Sequence, residues 1–284
     1  MIYSTKTLKM AVMGDPIDHS LSPFMHGAVI EEHGFDALYI PVRVAPDETA
    51  RFAEAAAYFG FCGFNATMPH KLRLLDIVDE LDEKASVCQS VNTVRIREGK
   101  LTGSNTDFDG LMTALDRREV SVKGADVMII GAGGVAGALV KGFSGKGAAS
   151  VKVLNRTLSK AEALVEGVRG ASALSMDREN LAAAAARSDL IVNCTPLGMT
   201  GMQEDFTDLS FLDDTKAFVT DLVYNPWQTS FLKYAEERGL ETMNGLSMLI
   251  CQGLLSFQLF TDIQLDLPAE YDYLYPLCRE RLAL

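Results

Sequence analysis

The chain has 284 residues, 48% of them hydrophobic, with 26 Lys and Arg set against 38 Asp and Glu for a formal net charge of -12. That much apolar material favours a packed core over whole-chain disorder, and the length suggests about two domains. An acidic surface repels a phosphate backbone, so nucleic acid is a poor partner, and any anionic ligand must be held by locally placed cations or backbone amides.

Strand-like and helix-like segments alternate along the chain, which predicts an α/β architecture with mainly parallel strands. The pattern predicts a strand over 9–13 ending at Gly14, then a helix over 22–33 with Ser22 as its N-cap and Pro23 at its first position. A strand over 38–44, a helix over 46–59, a strand over 63–67 and a helix over 72–81 are expected next, with Pro69 starting a helix that carries Lys71 in its first turn. A strand over 92–97 and a turn into Gly103 close this half.

A second unit opens near Asp126. Val127-Met128-Ile129-Ile130 is an uninterrupted apolar strand, as expected where both sheet faces are covered. A glycine-rich turn, a helix over 135–146 and a strand over 150–154 follow, and Thr157 is placed to cap the next helix, with Ser159 and Glu162 at capping-box spacing. The alanine run 182–186 favours helix, and further strands are expected over 190–194, 217–222 and 241–244. The charge-free stretch from Gly245 to Thr261 is too short for a bilayer span and is interrupted by Gln252, Ser256 and Gln258, so it reads as a buried helix. With no strand left to pair with, the C-terminal helices are expected to pack back on the first unit. No secretory signal is visible, and the five cysteines (Cys62, Cys88, Cys194, Cys251, Cys278) and four histidines lack disulfide or metal-ligand spacing. The expected setting is the cytosol, with no membrane partner and no metal.

Six short segments carry polar chemistry. Gly131-Ala132-Gly133-Gly134-Val135-Ala136 lies between a buried strand and a helix, where glycines allow a tight turn and close backbone approach to a pyrophosphate and a helix N-terminus offers free N–H groups. A dinucleotide site that takes NAD usually ends its next strand in Asp or Glu. Here Asn155-Arg156-Thr157 stands there instead, and Arg156 suits the 2′-phosphate of NADP. Ser20 and Ser22 present two hydroxyls at i and i+2, suited to a carboxylate or polyol, or serve as a turn and cap. Asn65, Thr67 and Lys71 share the segment Gly63 to Lys71, while Asn92 and Asp107 lie in Ser90-Val91-Asn92-Thr93 and Gly103-Ser104-Asn105-Thr106-Asp107. Each segment alone is equally readable as local capping or a solvated surface.

Together and in this order, Gly14 to His26, Asn65 to Lys71, Ser90 to Thr93, Gly103 to Gly110, the glycine turn with Asn155 to Thr157, Asn193 to Met199, Asp221 to Pro226 and Gly245 to Gln252 resemble the motifs of the shikimate dehydrogenase family. The resemblance covers nearly the whole chain. It implies an N-terminal α/β substrate domain (1–109 plus 246–284) facing a Rossmann-like NADP-binding domain (110–245) across a cleft, with Gly110 and Gly245 as candidate hinges. It implies reversible NADPH-dependent reduction of 3-dehydroshikimate to shikimate, a step of chorismate and aromatic amino acid biosynthesis, by a monomer or homodimer. Lys71 and Asp107 would be the catalytic pair. Ser20 and Ser22 would hold the carboxylate, and Asn65, Thr67, Asn92, Tyr224 and Gln252 the rest of the substrate. Gly131, Ala132, Gly133, Gly134, Val135 and Ala136 would cradle the pyrophosphate, and Asn155, Arg156 and Thr157 the adenosine 2′-phosphate. Thr195, Met199, Leu222, Gly245 and Met248 would line the nicotinamide side. Gly27, Ala66 and Ser247 depart from the residues usual in the family, which keeps a quinate- or aminoshikimate-type paralogue as the alternative. A dehydrogenase of an amino acid or folate-linked substrate would explain only the middle segments, and a non-catalytic metabolite or cofactor sensor would not need both Lys71 and Asp107.

Overall fold

The computed structural model describes residues 3–283. Two compact units emerge, one built from the chain up to Leu111 with Leu249–Cys278, the other from Met112–Met248 with the residues from Arg279 onward.

The first unit begins β1 (Leu8–Gly14), α1 (Ser22–Glu32), β2 (Ala37–Arg43), α2 (Thr49–Tyr58) and β3 (Gly63–Ala66). It continues β4 (Glu80–Leu81), α3 (Glu83–Cys88), β5 (Thr93–Arg97), β6 (Lys100–Ser104) and α4 (Asp107–Asp116). Its sheet runs β2-β1-β3-β5-β6-β4 around a core that includes Met13, Phe64, Leu74 and Val94. β1 pairs in parallel with both β2 and β3, but β5 runs antiparallel to both β3 and β6. The reversal is local: Glu98 and Gly99 both take positive φ (51° and 80°), the pairing of signs that a tight two-residue hairpin requires. The expected turn into Gly103 is therefore a hairpin whose second arm is β6. Because β5 is reversed, its start lies beside the ends of β3 and β6, in the register Asn65↔Thr93↔Ser104.

Two local expectations are corrected here. The N-cap of α1 is Leu21, and Ser22 is already the first helical residue, with Pro23 in the first turn. The helix expected over 72–81, with its start at Pro69, does not form: turns over 68–72 lead to a 3₁₀ turn at Arg73–Asp76, and Glu80–Leu81 joins the sheet. Tertiary ties outweigh helix propensity here. Val91 N donates to Lys71 O and Asp79 N to Leu101 O, each at 3.0 Å, while Asp79 Oδ2 accepts from Leu101 N at 2.7 Å.

The second unit contains β7 (Asp126–Ile130), α5 (Ala136–Gly145), β8 (Ser150–Asn155), α6 (Leu158–Val165), β9 (Ala171–Ser175) and α7 (Arg178–Ala185). Then come β10 (Leu190–Asn193), β11 (Phe218–Asp221), α8 (Ser230–Glu237) and β12 (Thr242–Met243). All six strands are parallel in the order β12-β11-β10-β7-β8-β9. Counted within the unit, this is the doubly wound order, which reverses between β7 and β10. Met128, Ile130, Ile191 and Val219 of this sheet share a core with Phe231 of α8. Thr157 does occupy the N-cap of α6, but its side chain makes no cap hydrogen bond; Asp177 and Thr229 are the side chains that cap α7 and α8.

The chain ends in α9 (Leu246–Thr261) and α10 (Leu267–Leu282). Among the described residues no helix is long and apolar enough to cross a membrane. Within the first unit α9 lies hard against α4: a Cβ on Gly110 would sit 2.5 Å from Gln252 Cβ, so only glycine permits this approach. Gly110, a candidate hinge on sequence grounds, thus has a packing requirement of its own.

Candidate active site and cofactor site

In the first unit the carboxyl ends of β1, β3 and β6 and the amino end of β5 lie at one end of the sheet, and the polar segments leave from there. Thr67 N donates to Met13 O at 3.0 Å, which fixes the chain beyond β3, and Thr67 Cγ2 lies only 2.5 Å from where a Cβ on Gly14 would be. Lys71 follows, its carbonyl held by Val91. Its Nζ donates to Asp107 Oδ2 at 2.7 Å, and the two side chains are only 16% and 6% exposed. Asp107 opens α4, where the helix dipole favours a negative group. Its Oδ1 accepts from Asn92 Nδ2 at 2.8 Å. The carboxylate is thereby held at both oxygens, and Lys71 keeps two N–H donors beyond this bond.

Gln252 joins the same group, its Oε1 accepting from Thr106 Oγ1 at 3.3 Å and from Asn92 Nδ2 at 3.4 Å. Ser22 N donates to Ser20 Oγ at 3.4 Å, bringing the two serines together at the start of α1. Asn65 behaves differently. It is buried, its Oδ1 accepts from Tyr39 Oη at 2.8 Å, and its Nδ2 donates to Asn92 O, Thr93 Oγ1 and Ser256 Oγ. Asn65 therefore braces the floor of the group more than it faces a ligand.

Tyr39, Thr93, Thr106 and Ser256 were not singled out as site residues from sequence, yet they complete this buried network. Ser256 carried the clearest signal: it lies four residues after Gln252 in an otherwise apolar helix, hence on the same face. His26 is packed beside the network, its ring stacked on Tyr39 with centroids 4.0 Å apart and interplanar angle 12°. Burial pulls its pKa down to about 3, so it is neutral in the folded protein at ordinary pH.

In the second unit the glycine turn follows β7, at the strand-order reversal. Gly131 has φ +100°, a conformation that excludes other residues, and a Cβ there would meet Thr195 Cγ2 at 2.6 Å. A Cβ at Gly134 would meet nothing within 4 Å, so backbone is open to a ligand. Val135 is the N-cap of α5, and Ala136, fully buried, lets helix and strand pack closely. Asn155 Oδ1 accepts from Ala132 N at 3.2 Å and Asn155 Nδ2 donates to Thr157 O at 2.8 Å, so one side chain ties the turn to the loop after β8. Arg156 in that loop is 84% exposed and its recorded ion pair is to Glu204 at 3.3 Å. An exposed cation beside a glycine turn, with no carboxylate at the strand end, fits a dinucleotide bearing an additional phosphate.

Leu222 N donates to Asn193 O at 3.0 Å and Met199 N to Pro196 O at 3.1 Å. Gly245 is required by the carbonyl of Leu222, which a Cβ would overlap. Met248 is buried and Tyr224 half-buried, in the segments after β12 and β11. Thus Ser20, Ser22, Asn65, Thr67, Lys71, Asn92, Asp107 and Gln252 belong to the first unit, whereas Tyr224 and every residue expected to hold the cofactor belong to the second.

Two family models match the chain. One, described as the shikimate dehydrogenase substrate binding domain, covers residues 12–94, and the other, described as shikimate / quinate 5-dehydrogenase, covers residues 113–222. The NADP(+)-dependent shikimate dehydrogenase of Nitrosopumilus maritimus is 38% identical over 255 residues, covering 88% of this chain and 92% of that one. The crystal structure of shikimate 5-dehydrogenase from Thermus thermophilus in complex with NADP(H) and shikimate matches with TM-score 0.86 at 31% identity, covering 97% of this chain and 100% of that one. The ligand-free 5-ketofructose reductase of Gluconobacter sp. strain CHM43 also matches, with TM-score 0.83 at 30% identity over 96% of this chain and 100% of that one.

Proposed function

The chain belongs to the shikimate dehydrogenase family, and we propose that it is an NADP-dependent oxidoreductase that reversibly reduces 3-dehydroshikimate to shikimate, with the ring acid held by the first unit and the cofactor by the second. The observation that carries this reading is the buried Lys71–Asp107 pair at 2.7 Å, braced by Asn92.

Bound NADPH supplies the hydride. Reduction leaves negative charge on the former carbonyl oxygen, and a positioned ammonium both stabilises that charge and supplies its proton. Lys71 Nζ is the donor in this reading. Asp107 fixes it through Oδ2, Asn92 fixes Asp107 through Oδ1, and in the oxidative direction the amine takes the hydroxyl proton back. Ser20 and Ser22 supply hydroxyl donors for the carboxylate, and Thr67 and Gln252 supply polar contacts to the ring. Asn65 contributes to the substrate only by exchanging one of its present bonds. In the second unit Gly131 to Ala136 hold the pyrophosphate, Asn155, Arg156 and Thr157 the 2′-phosphate, and Thr195, Met199, Leu222, Gly245 and Met248 the nicotinamide side. The same reading places the enzyme in the cytosol as a monomer or homodimer.

The test is kcat/KM for shikimate, quinate and aminoshikimate with each cofactor, followed by NADPH absorbance. Shikimate with NADP is expected to be the preferred pair. A clear preference for quinate would move the protein to the second activity in its family description, and calorimetric binding of shikimate without turnover of any substrate would make it a sensor.

Arg156→Ala is expected to raise KM for NADP about tenfold, the loss of one charged hydrogen-bonding group, and to leave the weaker use of NAD nearly unchanged. Its exposed pair with Glu204 offers little competition, because ion pairs in water contribute little. Equal use of NAD and NADP by the unaltered protein would refute this role for Arg156.

A further inference from the structure

Asp221 ends β11 as a fully buried carboxylate outside the proposed chemistry. Its Oδ1 accepts from Asn193 Nδ2 at 2.9 Å and from Val223 N at 3.0 Å, and its Oδ2 accepts from Thr229 Oγ1 at 2.7 Å. Three segments thus converge on one side chain: the end of β10, the chain leaving β11, and the cap of α8. Asn193, also fully buried, passes the constraint onward, its Oδ1 accepting from Thr195 N at 3.0 Å and from Thr195 Oγ1 at 2.7 Å. Thr195 in turn abuts the glycine turn, its Cγ2 at 2.6 Å from the position of a Cβ on Gly131. The chain Asp221–Asn193–Thr195 therefore ends at the strand-order reversal, where doubly wound sheets bind their ligands.

Keeping a carboxylate here is costly, since burial pushes its pKa up to about 6 against the help of its three donors. A residue present only to fill space has no need of a side chain that accepts from Asn193, Val223 and Thr229 together. We propose that Asp221 is a positioning residue for the reacting end of the bound dinucleotide, acting through Asn193 to set Thr195 against the glycine turn. The proposal rests on the reading that the second unit binds NADP.

The experiment compares binding of NADPH with that of adenosine 2′,5′-bisphosphate, which carries the adenosine, its 2′-phosphate and the adenosine-side phosphate of the pyrophosphate but lacks the second phosphate and the nicotinamide riboside. Asn193→Ala cuts the link to Thr195 and leaves Asp221 its bonds to Val223 and Thr229. It is expected to weaken NADPH binding about tenfold and to leave the bisphosphate within about threefold of the unaltered protein. Asp221→Asn keeps an oxygen for Asn193 and Val223, and is expected to bind NADPH within about threefold of normal, whereas Asp221→Ala shows the same split as Asn193→Ala. Bisphosphate binding reports a folded site, and Asn193→Ser, a smaller truncation, decides the matter if the alanine variants do not fold. Unchanged NADPH affinity in Asn193→Ala, or equal weakening of both ligands, overturns the role of Asp221. An unaltered protein that binds neither ligand overturns the cofactor reading itself.

Discussion

Lys71→Ala is expected to lower kcat for shikimate oxidation by about 10²–10⁴-fold, the usual contribution of a positioned acid or base, with a much smaller change in KM. The asymmetry follows from when the interaction is made. The oxygen carries full charge only as the hydride transfers, so an ammonium beside it acts mainly on the transition state. The geometry supports this, because Lys71 Nζ spends one donor on Asp107 Oδ2 at 2.7 Å and Asn92 Nδ2 fixes the other carboxylate oxygen at 2.8 Å. Lys71→Met keeps the length and apolar stem without the charge, and should lose the same activity. Both variants leave Asp107 buried without its cation, a situation that destabilises. Thermal unfolding and NADPH binding must therefore accompany the kinetics, so that a loss of folded protein is not counted as a loss of chemistry. A folded Lys71→Met enzyme with near-normal kcat would remove Lys71 from the reaction.

The second unit is legible in sequence because its logic is local. The apolar run of β7, the glycines after it and Arg156 after β8 lie within 30 residues of one another, and each residue type has a backbone or charge reason to be where it is. The first unit is less legible. Its antiparallel strand depends on Glu98 and Gly99, a pair that reads as an ordinary turn until both φ angles are seen to be positive. The segment 72–81 has the apolar content of a helix, yet the carbonyl of Lys71 just before it and the N–H of Asp79 within it are claimed by Val91 and Leu101, residues some twenty positions away. The network beneath the Lys71–Asp107 pair is farther still from local rules. Asn65 meets Ser256 across 191 residues and Tyr39 across 26, and no periodicity encodes such pairings. Asn193 and Asp221 fall inside the strands expected over 190–194 and 217–222, but that they bond to each other follows only from β10 and β11 being neighbours.

The first unit should be acid-labile through His26. The imidazole is buried, its Nε2 has no hydrogen-bond partner in the described structure, and burial lowers its pKa from 6.5 to about 3. The folded state therefore binds fewer protons than the unfolded chain across that interval. Stability linked to His26 is complete above pH 6.5 and is lost as pH falls toward 3, at about 1.4 kcal/mol per pH unit, or about 3 kcal/mol by pH 4.5. Asp221 in the second unit works in the opposite sense. Its folded pKa of about 6 lies above the ordinary 3.8, so its burial penalty is present at neutral pH and is relieved as pH falls through that window. A whole-chain acid titration therefore blends opposed contributions, with buried His70 adding in the sense of His26, and a variant comparison is needed to separate them. His26→Phe keeps a flat ring against Tyr39 and Phe257 and has nothing to protonate. Overpacking is expected to cost it up to about 2 kcal/mol at pH 7.5. Between pH 7.5 and pH 4.5, urea unfolding should show it losing about 3 kcal/mol less stability than the unaltered protein. Hydrogen exchange should place the difference in α1 and β2 rather than in α8. If the two proteins lose stability in parallel over that range, His26 is not what makes the fold sensitive to acid.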